Sequence, residues 1–340
     1  MQNFIALWLH RFKKYTHIFK VYLHFFSDYC KIFIRKKRST KNITAIILTQ
    51  QFGDIVAIEP LLRQIREAHP NDILLWIVKP IFKELLAYNP NIDIIIDDFC
   101  ANHRLLLINS GIFDKIYNLQ FRNNSYCEIC NVYVENPVAD SKDITIHNYY
   151  FQGNLLNVQQ KIAGFPVTDQ QPQLFISNKE INKIETLSLP PKFITVHCQS
   201  AQNSRNWDNK KWEVFINYFI KNTDLYIIEI GLTSDLKINS EKYINLCGKL
   251  SLLETAEVIR RAKLFVGIDS GPAHLANAVG TFGVIMIGKL ANFINHIPYS
   301  GAYKSGKNAI IIRNETGPSA DITVEEVIEQ IKTNRLLLKV

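Results

Sequence analysis

A chain of 340 residues, 47% hydrophobic and 21% charged, is long enough for two α/β domains of ordinary size plus an extra segment. Its net charge of +8 is uneven: residues 1–41 hold ten Lys and Arg against the single acid Asp28, a balance of +9, so the remainder sums to −1. A near-neutral body argues against nucleic acid as a partner, because a nucleic-acid-binding domain carries its basicity on the folded surface. The six cysteines (Cys30, Cys100, Cys127, Cys130, Cys198, Cys247) are scattered, and no signal peptide precedes them. A cytoplasmic, reducing compartment with free thiols is expected. Cys127-Glu-Ile-Cys130 has C-x-x-C spacing, but no second pair or histidine cluster completes a zinc site, so no metal is expected.

Residues 1–38 contain neither Pro nor Gly and read as one helix. Aromatics at Trp8, Phe12, Tyr15, Phe19, Tyr22, Phe26, Tyr29 and Phe33 alternate steps of four and three, which makes one continuous helical stripe. With its flanking Lys and Arg this is a basic amphipathic extension over residues 1–41. No uncharged run approaches the ~20 residues that span a bilayer. Three uses stay open: lying on an anionic membrane surface, packing on the protein's own body or in an oligomer interface, and an RNA-binding arm.

Ile43 to Leu48 reads as a buried strand, followed by a turn at Gly53-Asp54 and a helix from Ile55 to Ala68. Asp54 stands where an N-cap belongs. Ile73–Val78 (strand), Pro80–Tyr88 (helix) and Ile92–Ile96 (strand) continue an alternation that indicates a doubly wound parallel sheet. Residues 99–165 are less legible, with a strand expected at Ile116–Leu119 and a helix at Asn148–Ala163. The polar Asn123, Asn124 and Tyr126 either face an acceptor or belong to an ordinary loop. Four prolines between Phe165 and Lys192 mark a linker at 166–192, with a helix at Lys179–Thr186. A second α/β pattern then opens at Phe193–His197. Glu229, inside an apolar run, is either an edge residue or a site carboxylate, and Ser251-Leu-Leu-Glu254 is a capping box.

The richest stretch runs from Leu264 to Gly288. A buried strand, Leu264–Ile268, leads through Asp269-Ser270-Gly271-Pro272 into a small-residue helix ending at Gly280, then a second strand, Val284–Ile287. Pro is tolerated in a first helical turn, and Ser or Asp can cap its free N–H groups. A strand, a glycine turn and a helix start make an anion site, which points to a phosphate-bearing ligand; an ordinary ligand-free βαβ unit is the alternative.

Asp269, Ser270, Gly271, His274, Leu275, Ala276, Ala278, Gly280 and Thr281 spell Asp-(Ser/Thr)-Gly-x-x-His-Leu-Ala-x-Ala-x-Gly-Thr. This pattern resembles the signature of glycosyltransferase family 9, the ADP-heptose:lipopolysaccharide heptosyltransferases. The likeness extends to Gly53-Asp54 followed by Pro60-Leu61-Leu62, to Trp76–Pro80, and to Asn89–Asp93. The resemblance implies an α/β GT-B fold: two Rossmann-like domains with a cleft between them, here 42–165 for the acceptor and 193–320 for the nucleotide-sugar, closed by a helix in 321–340. It implies inverting, metal-independent transfer of heptose from ADP-L-glycero-D-manno-heptose to a hydroxyl of the lipopolysaccharide or lipooligosaccharide core, at the inner face of the cytoplasmic membrane. Asp54 would be the general base. Ser200, Ser204 and Arg205, with Asp269, Ser270, Gly271, Pro272 and His274, would hold the donor's phosphates; Arg205 replaces a usual Lys. No cofactor is implied, and the chain lacks an Asp-x-Asp triplet. Departures fall near the donor: Phe282 stands for a usual Pro, and Gly288-Lys289-Leu290-Ala291 for Gly-Pro-Thr. A transferase using another nucleotide-sugar, or a non-catalytic binding protein on the same fold, are the other readings. A dehydrogenase is disfavoured, because Thr49–Asp54 has one glycine where a dinucleotide fingerprint needs three.

Overall fold

The computed structural model describes residues 2–120, 126–289 and 296–334, the side chains of residues 2–7 and 204 excepted. Asn123 and Asn124, Leu290 and Ala291, and the last residues of the 321–340 segment lie outside it. The chain divides into two units: Met1–Gln50, Leu61–Gln152 and Val158–Pro166 form the first, and Gln51–Pro60, Gly153–Asn157 and Val167–Val340 the second.

In the first unit, helix α1 (Gln2–Ser39) precedes β1 (Ile43–Ile47). Helix α2 (Phe52–Ala57) belongs to the second unit. The chain then runs through α3 (Glu59–Ala68), β2 (Ile73–Val78), β3 (Ile94–Asp97), α4 (Ala101–Asn109) and β4 (Lys115–Asn118). Strands β1 and β2 are buried at every position, as parallel strands covered on both faces must be. The parallel sheet has the order β3-β2-β1-β4. A small hairpin, β5 (Tyr126–Cys127) and β6 (Val132–Tyr133), and α5 (Pro137–Ser141) follow. The helix expected over 55–68 is broken at Ile58, because Pro60 cannot donate to the preceding turn. The one expected at 80–88 is a 3-10 helix, Pro80–Leu86. That at 148–163 splits into a 3-10 turn, Tyr149–Phe151, and α6 (Leu155–Ala163), separated by Gly153 at φ +117°.

Helix α1 docks through a face that takes in only Tyr29 of its aromatic stripe. Val21 and Ile32 are fully buried, and Phe25 and Tyr29 pack against the sheet's core. Asp28 lies 3.3 Å from the buried His103 of α4, and Phe99 stacks against both His17 and His24. Trp8, Phe12, Tyr15, Phe19, Tyr22, Phe26 and Phe33 are all exposed, between 41% and 71%. Seven of the eight stripe residues are thus left exposed, and Tyr29 turns to the core.

The second unit holds α7 (Asn178–Thr186), β7 (Phe193–His197), α8 (Asn209–Asn222), β8 (Tyr226–Glu229), β9 (Tyr243–Asn245), α9 (Leu252–Arg261), β10 (Leu264–Ile268), α10 (Gly271–Val279), β11 (Gly283–Gly288), α11 (Gly301–Lys304), β12 (Ala309–Asn314) and α12 (Val324–Thr333). Its six parallel strands have the order β12-β11-β10-β7-β8-β9. The winding direction reverses between β7 and β10. In an open α/β sheet, ligands bind outside the carboxyl ends of the strands at such a reversal. The Ser251–Glu254 capping box starts α9 as the sequence indicates, and Thr323 caps α12. Glu229 is buried and accepts hydrogen bonds from the hydroxyls of Ser234 and Tyr243, so it is a satisfied interior carboxylate.

Candidate active site

The carboxyl end of β7 delivers His197, and that of β10 delivers Asp269 and Ser270. Ser270 is the N-cap residue of α10, yet its side chain caps nothing. Its hydroxyl donates instead to the Ile268 carbonyl at 3.1 Å and lies 2.9 Å from His197 Nδ1. With the serine proton spent on the carbonyl, the hydrogen-bond pattern puts the histidine proton on Nδ1. Burial pushes His197 down to about 4, so it is neutral at ordinary pH. The first N–H groups of α10 thus have no side-chain cap, and a helix N-terminus in that state favours an anion.

The loop after β7 brings a cation to the same place. A 3-10 turn, Asn203–Arg205, ends in Arg205, whose Nη1 donates to Asp269 Oδ2 at 3.1 Å and to the Asp269 carbonyl at 3.3 Å. The buried Arg205 Nε–H has no acceptor among the described residues. Asp269 is held from its other side by the Tyr299 hydroxyl, which donates to Oδ1 at 2.9 Å. Tyr299 is fully buried, and its ring lies 4.7 Å from that of His274. Burial lowers His274 to about 4 as well.

Asp54 reaches this group through α2, which packs on α10. The contact is so close that a Cβ on Gly271 would stand 1.9 Å from the Phe52 ring, and one on Gly53 would stand 2.9 Å from His274. Asp54 is not the N-cap the sequence suggests. Gln51 is, and Asp54 at the third helical position accepts from the Gln51 N–H at 3.2 Å. Burial raises its carboxyl to about 6; Asp269 adds to the rise, while the Gln51 N–H and Arg205 oppose it.

Asp54, Arg205, Asp269, Ser270, Gly271 and His274 are therefore brought together. Pro272 fills the first turn of α10 as a residue without an N–H can. Ser200 is occupied elsewhere: its hydroxyl donates to the Gln202 carbonyl at 2.9 Å, and its N–H donates to Asn206 Oδ1 at 2.7 Å, which shapes the loop carrying Arg205. The Ser204 side chain is outside the described residues. Trp207 is buried and donates to the Ile322 carbonyl at 2.7 Å, an anchor for the loop. Two residues the sequence reading passed over belong to the site. His197 carried a signal, a polar residue at the carboxyl end of an apolar strand, whereas Tyr299 had none nearby. In the first unit, His17, Cys100, Cys127 and Cys130 bring their ligand atoms within 4.8 Å of one another. The C-x-x-C pair, which the sequence left incomplete, thus has two companions.

Residues 154–321, which contain Arg205 and the whole of α10, match glycosyltransferase family 9 (heptosyltransferase). The chain is 22% identical over 315 residues to lipopolysaccharide heptosyltransferase 1 of Campylobacter coli, covering 78% of this chain and 88% of that protein. Among solved structures, a family 9 glycosyltransferase from Veillonella parvula matches with a TM-score of 0.66 at 18% identity, over 88% of this chain and 98% of the other. The ADP-heptose lipopolysaccharide heptosyltransferase II of E. coli matches with a TM-score of 0.65 at 19% identity, over 88% and 99%. The parallel α/β units are those of the GT-B fold, and the chain is a glycosyltransferase belonging to family 9.

Proposed function

We propose that this protein transfers a heptose, with inversion, from ADP-L-glycero-D-manno-heptose to a hydroxyl of the lipopolysaccharide core. The observation that carries this reading is Asp54 held in one unit with Arg205 and the uncapped start of α10. A base is useful when it is ionised at working pH yet basic enough to accept a proton, and a carboxyl lifted to about 6 meets both needs. Asp54 takes the proton of the acceptor hydroxyl as that oxygen attacks the anomeric carbon. The bond to the diphosphate breaks on the opposite face, and ADP leaves. Its growing negative charge is met by the α10 N–H groups and the Arg205 guanidinium, in the role a divalent metal fills elsewhere. The first unit takes the acceptor.

The choice of donor and acceptor is supported by the relatives, a lipopolysaccharide heptosyltransferase and an ADP-heptose enzyme among them. Residues 1–41 seat the protein on the inner face of the cytoplasmic membrane, where a lipid-linked acceptor resides. Support for this comes from the exposed aromatic face of α1 and from the ten basic residues of that segment. The test is ADP release by the full-length protein from ADP-heptose and heptose-deficient lipopolysaccharide, with and without EDTA. Activity that survives chelation and vanishes in Asp54→Ala supports the reading. Turnover with GDP- or UDP-sugars alone overturns the donor, and full activity in Asp54→Ala overturns the base.

A further inference from the structure

The hairpin β5–β6 has two residues in each strand, and a two-stranded hairpin is marginal in water even when longer. The apolar cluster beneath it offers little: Ala101, Cys127 and Val134, with Cys100, Leu105, Ile108 and Cys130 at the margin. Three of those seven side chains are cysteines. Packing explains a buried cysteine, since a thiol behaves as a small hydrophobe. It does not explain why three sulfurs and an imidazole nitrogen from three separate places in the chain converge.

Cys127 ends β5 and Cys130 follows across a turn, closed by Asn131 at φ +53° with its Oδ1 accepting from the Tyr126 hydroxyl at 2.7 Å. Cys100 is the N-cap residue of α4. His17 comes from α1, its Nε2 3.7 Å from the Cys127 sulfur and its ring stacked on Phe99 at 5.1 Å. All four ligand atoms lie within 4.8 Å of one another. Around a tetrahedral zinc, bonds of about 2.3 Å to sulfur and 2.0 Å to nitrogen put neighbouring ligands about 3.5–3.8 Å apart. The observed atoms, within 4.8 Å of one another, reach that spacing by closing in by up to about 1 Å.

We propose that His17, Cys100, Cys127 and Cys130 form a closed Cys3His zinc site that fastens α1 and the β5–β6 hairpin to the start of α4. Four protein ligands leave no open position, so the ion is structural and takes no part in sugar transfer. Binding replaces thiol protons by the ion, and the site ends with three thiolates and a neutral imidazole on Zn²⁺. The chelate joins the amino-terminal helix to residues far along the chain, where closing a long loop constrains the unfolded state most.

The test is metal analysis of the full-length protein purified under reducing conditions without added metal, with Cys127→Ser/Cys130→Ser alongside. One equivalent of zinc in the wild type, reduced at least tenfold in the variant, is expected. His17→Cys, which keeps four ligands, should retain the equivalent, and His17→Ala should weaken zinc retention against a chelator at least tenfold. Replacement by Co²⁺ should give the strong visible absorption of a tetrahedral thiolate complex, which an altered fold alone does not produce. Zinc-free protein that takes up neither Zn²⁺ nor Co²⁺, or a Cys127–Cys130 disulfide in the reduced preparation, overturns the site. Iron at one equivalent in place of zinc overturns the choice of ion.

Discussion

Arg205 spends one guanidinium nitrogen on Asp269, at 3.1 Å from Oδ2, while its buried Nε–H has no acceptor among the described residues. A buried donor left unpaired is costly. Asp269 is clamped in turn by Tyr299, so Arg205 is aimed by groups that do not themselves need to touch a ligand.

Arg205→Ala should weaken ADP binding by about tenfold to a hundredfold, the range for a lost charge-assisted hydrogen bond. Arg205→Lys should recover only part of this, because a point charge lacks the guanidinium fork. Isothermal titration with ADP measures both. Equal affinity in wild type and Arg205→Ala would remove Arg205 from the phosphate site.

The rate should rise with pH through about 6, because Asp54 must be ionised to act and burial holds its carboxyl there. Asp54→Asn should lower kcat/KM by about 10²–10⁴, the usual share of a general base, and abolish that limb. Stability should move the other way. The folded pKa exceeds the unfolded one, so the group's contribution is fully present below about 4 and is lost as pH rises through about 6. Asp54→Asn should accordingly melt higher than wild type at pH 8, by something on the order of 1–2 kcal/mol after solvent screening, and show no such gain at pH 4. Melting curves at the two pH values decide it.

Gly271→Ala should cost about 1–3 kcal/mol, since its methyl would enter the Phe52 ring. Phe52→Leu in the same chain should return part of the loss by making room. Denaturant titration of the two single variants and the double variant gives the coupling; strict additivity would mean that the helices do not meet there.

Phe12→Ser/Phe19→Ser should leave the melting temperature unchanged, because both rings are exposed, at 71% and 64%. Partition into anionic vesicles should nevertheless fall about tenfold or more, as two large apolar groups no longer enter the interface. Added salt should weaken the binding of both proteins. Vesicle binding that ignores the substitution would leave the stripe for a protein partner.

Strong local patterns made much of this molecule readable. The run from Leu264 to Gly288 declares its strand, turn, helix and strand because buried parallel strands are continuously apolar and Gly280, at φ +77°, ends a helix. Asp54 was legible as a candidate beside the helix start but not as the third residue of a helix, since a capping side chain and one reaching back to a cap look alike in sequence. The seven exposed aromatics of α1 advertised the face turned to solvent, while the docked face is written in the less conspicuous Val21, Asp28 and Ile32. His17 and Cys100 gave no sign of belonging with Cys127 and Cys130, because nothing local encodes a meeting across such separations. Tyr299 reaches Asp269 on the same terms.

The placement of α2 bears on how the protein is made. Residues 51–60 are threaded early, yet their neighbours in the finished unit are mostly found beyond residue 166. On the ribosome, Phe52 and Gly53 wait for a partner surface that has not been translated, and Asp54 keeps the acidity of any aspartate in water. The packing that raises its pKa forms only once α10 has emerged and met α2. A nascent chain stalled before Gly271 would carry the Asp54 carboxylate but not the surroundings that lift its pKa to about 6.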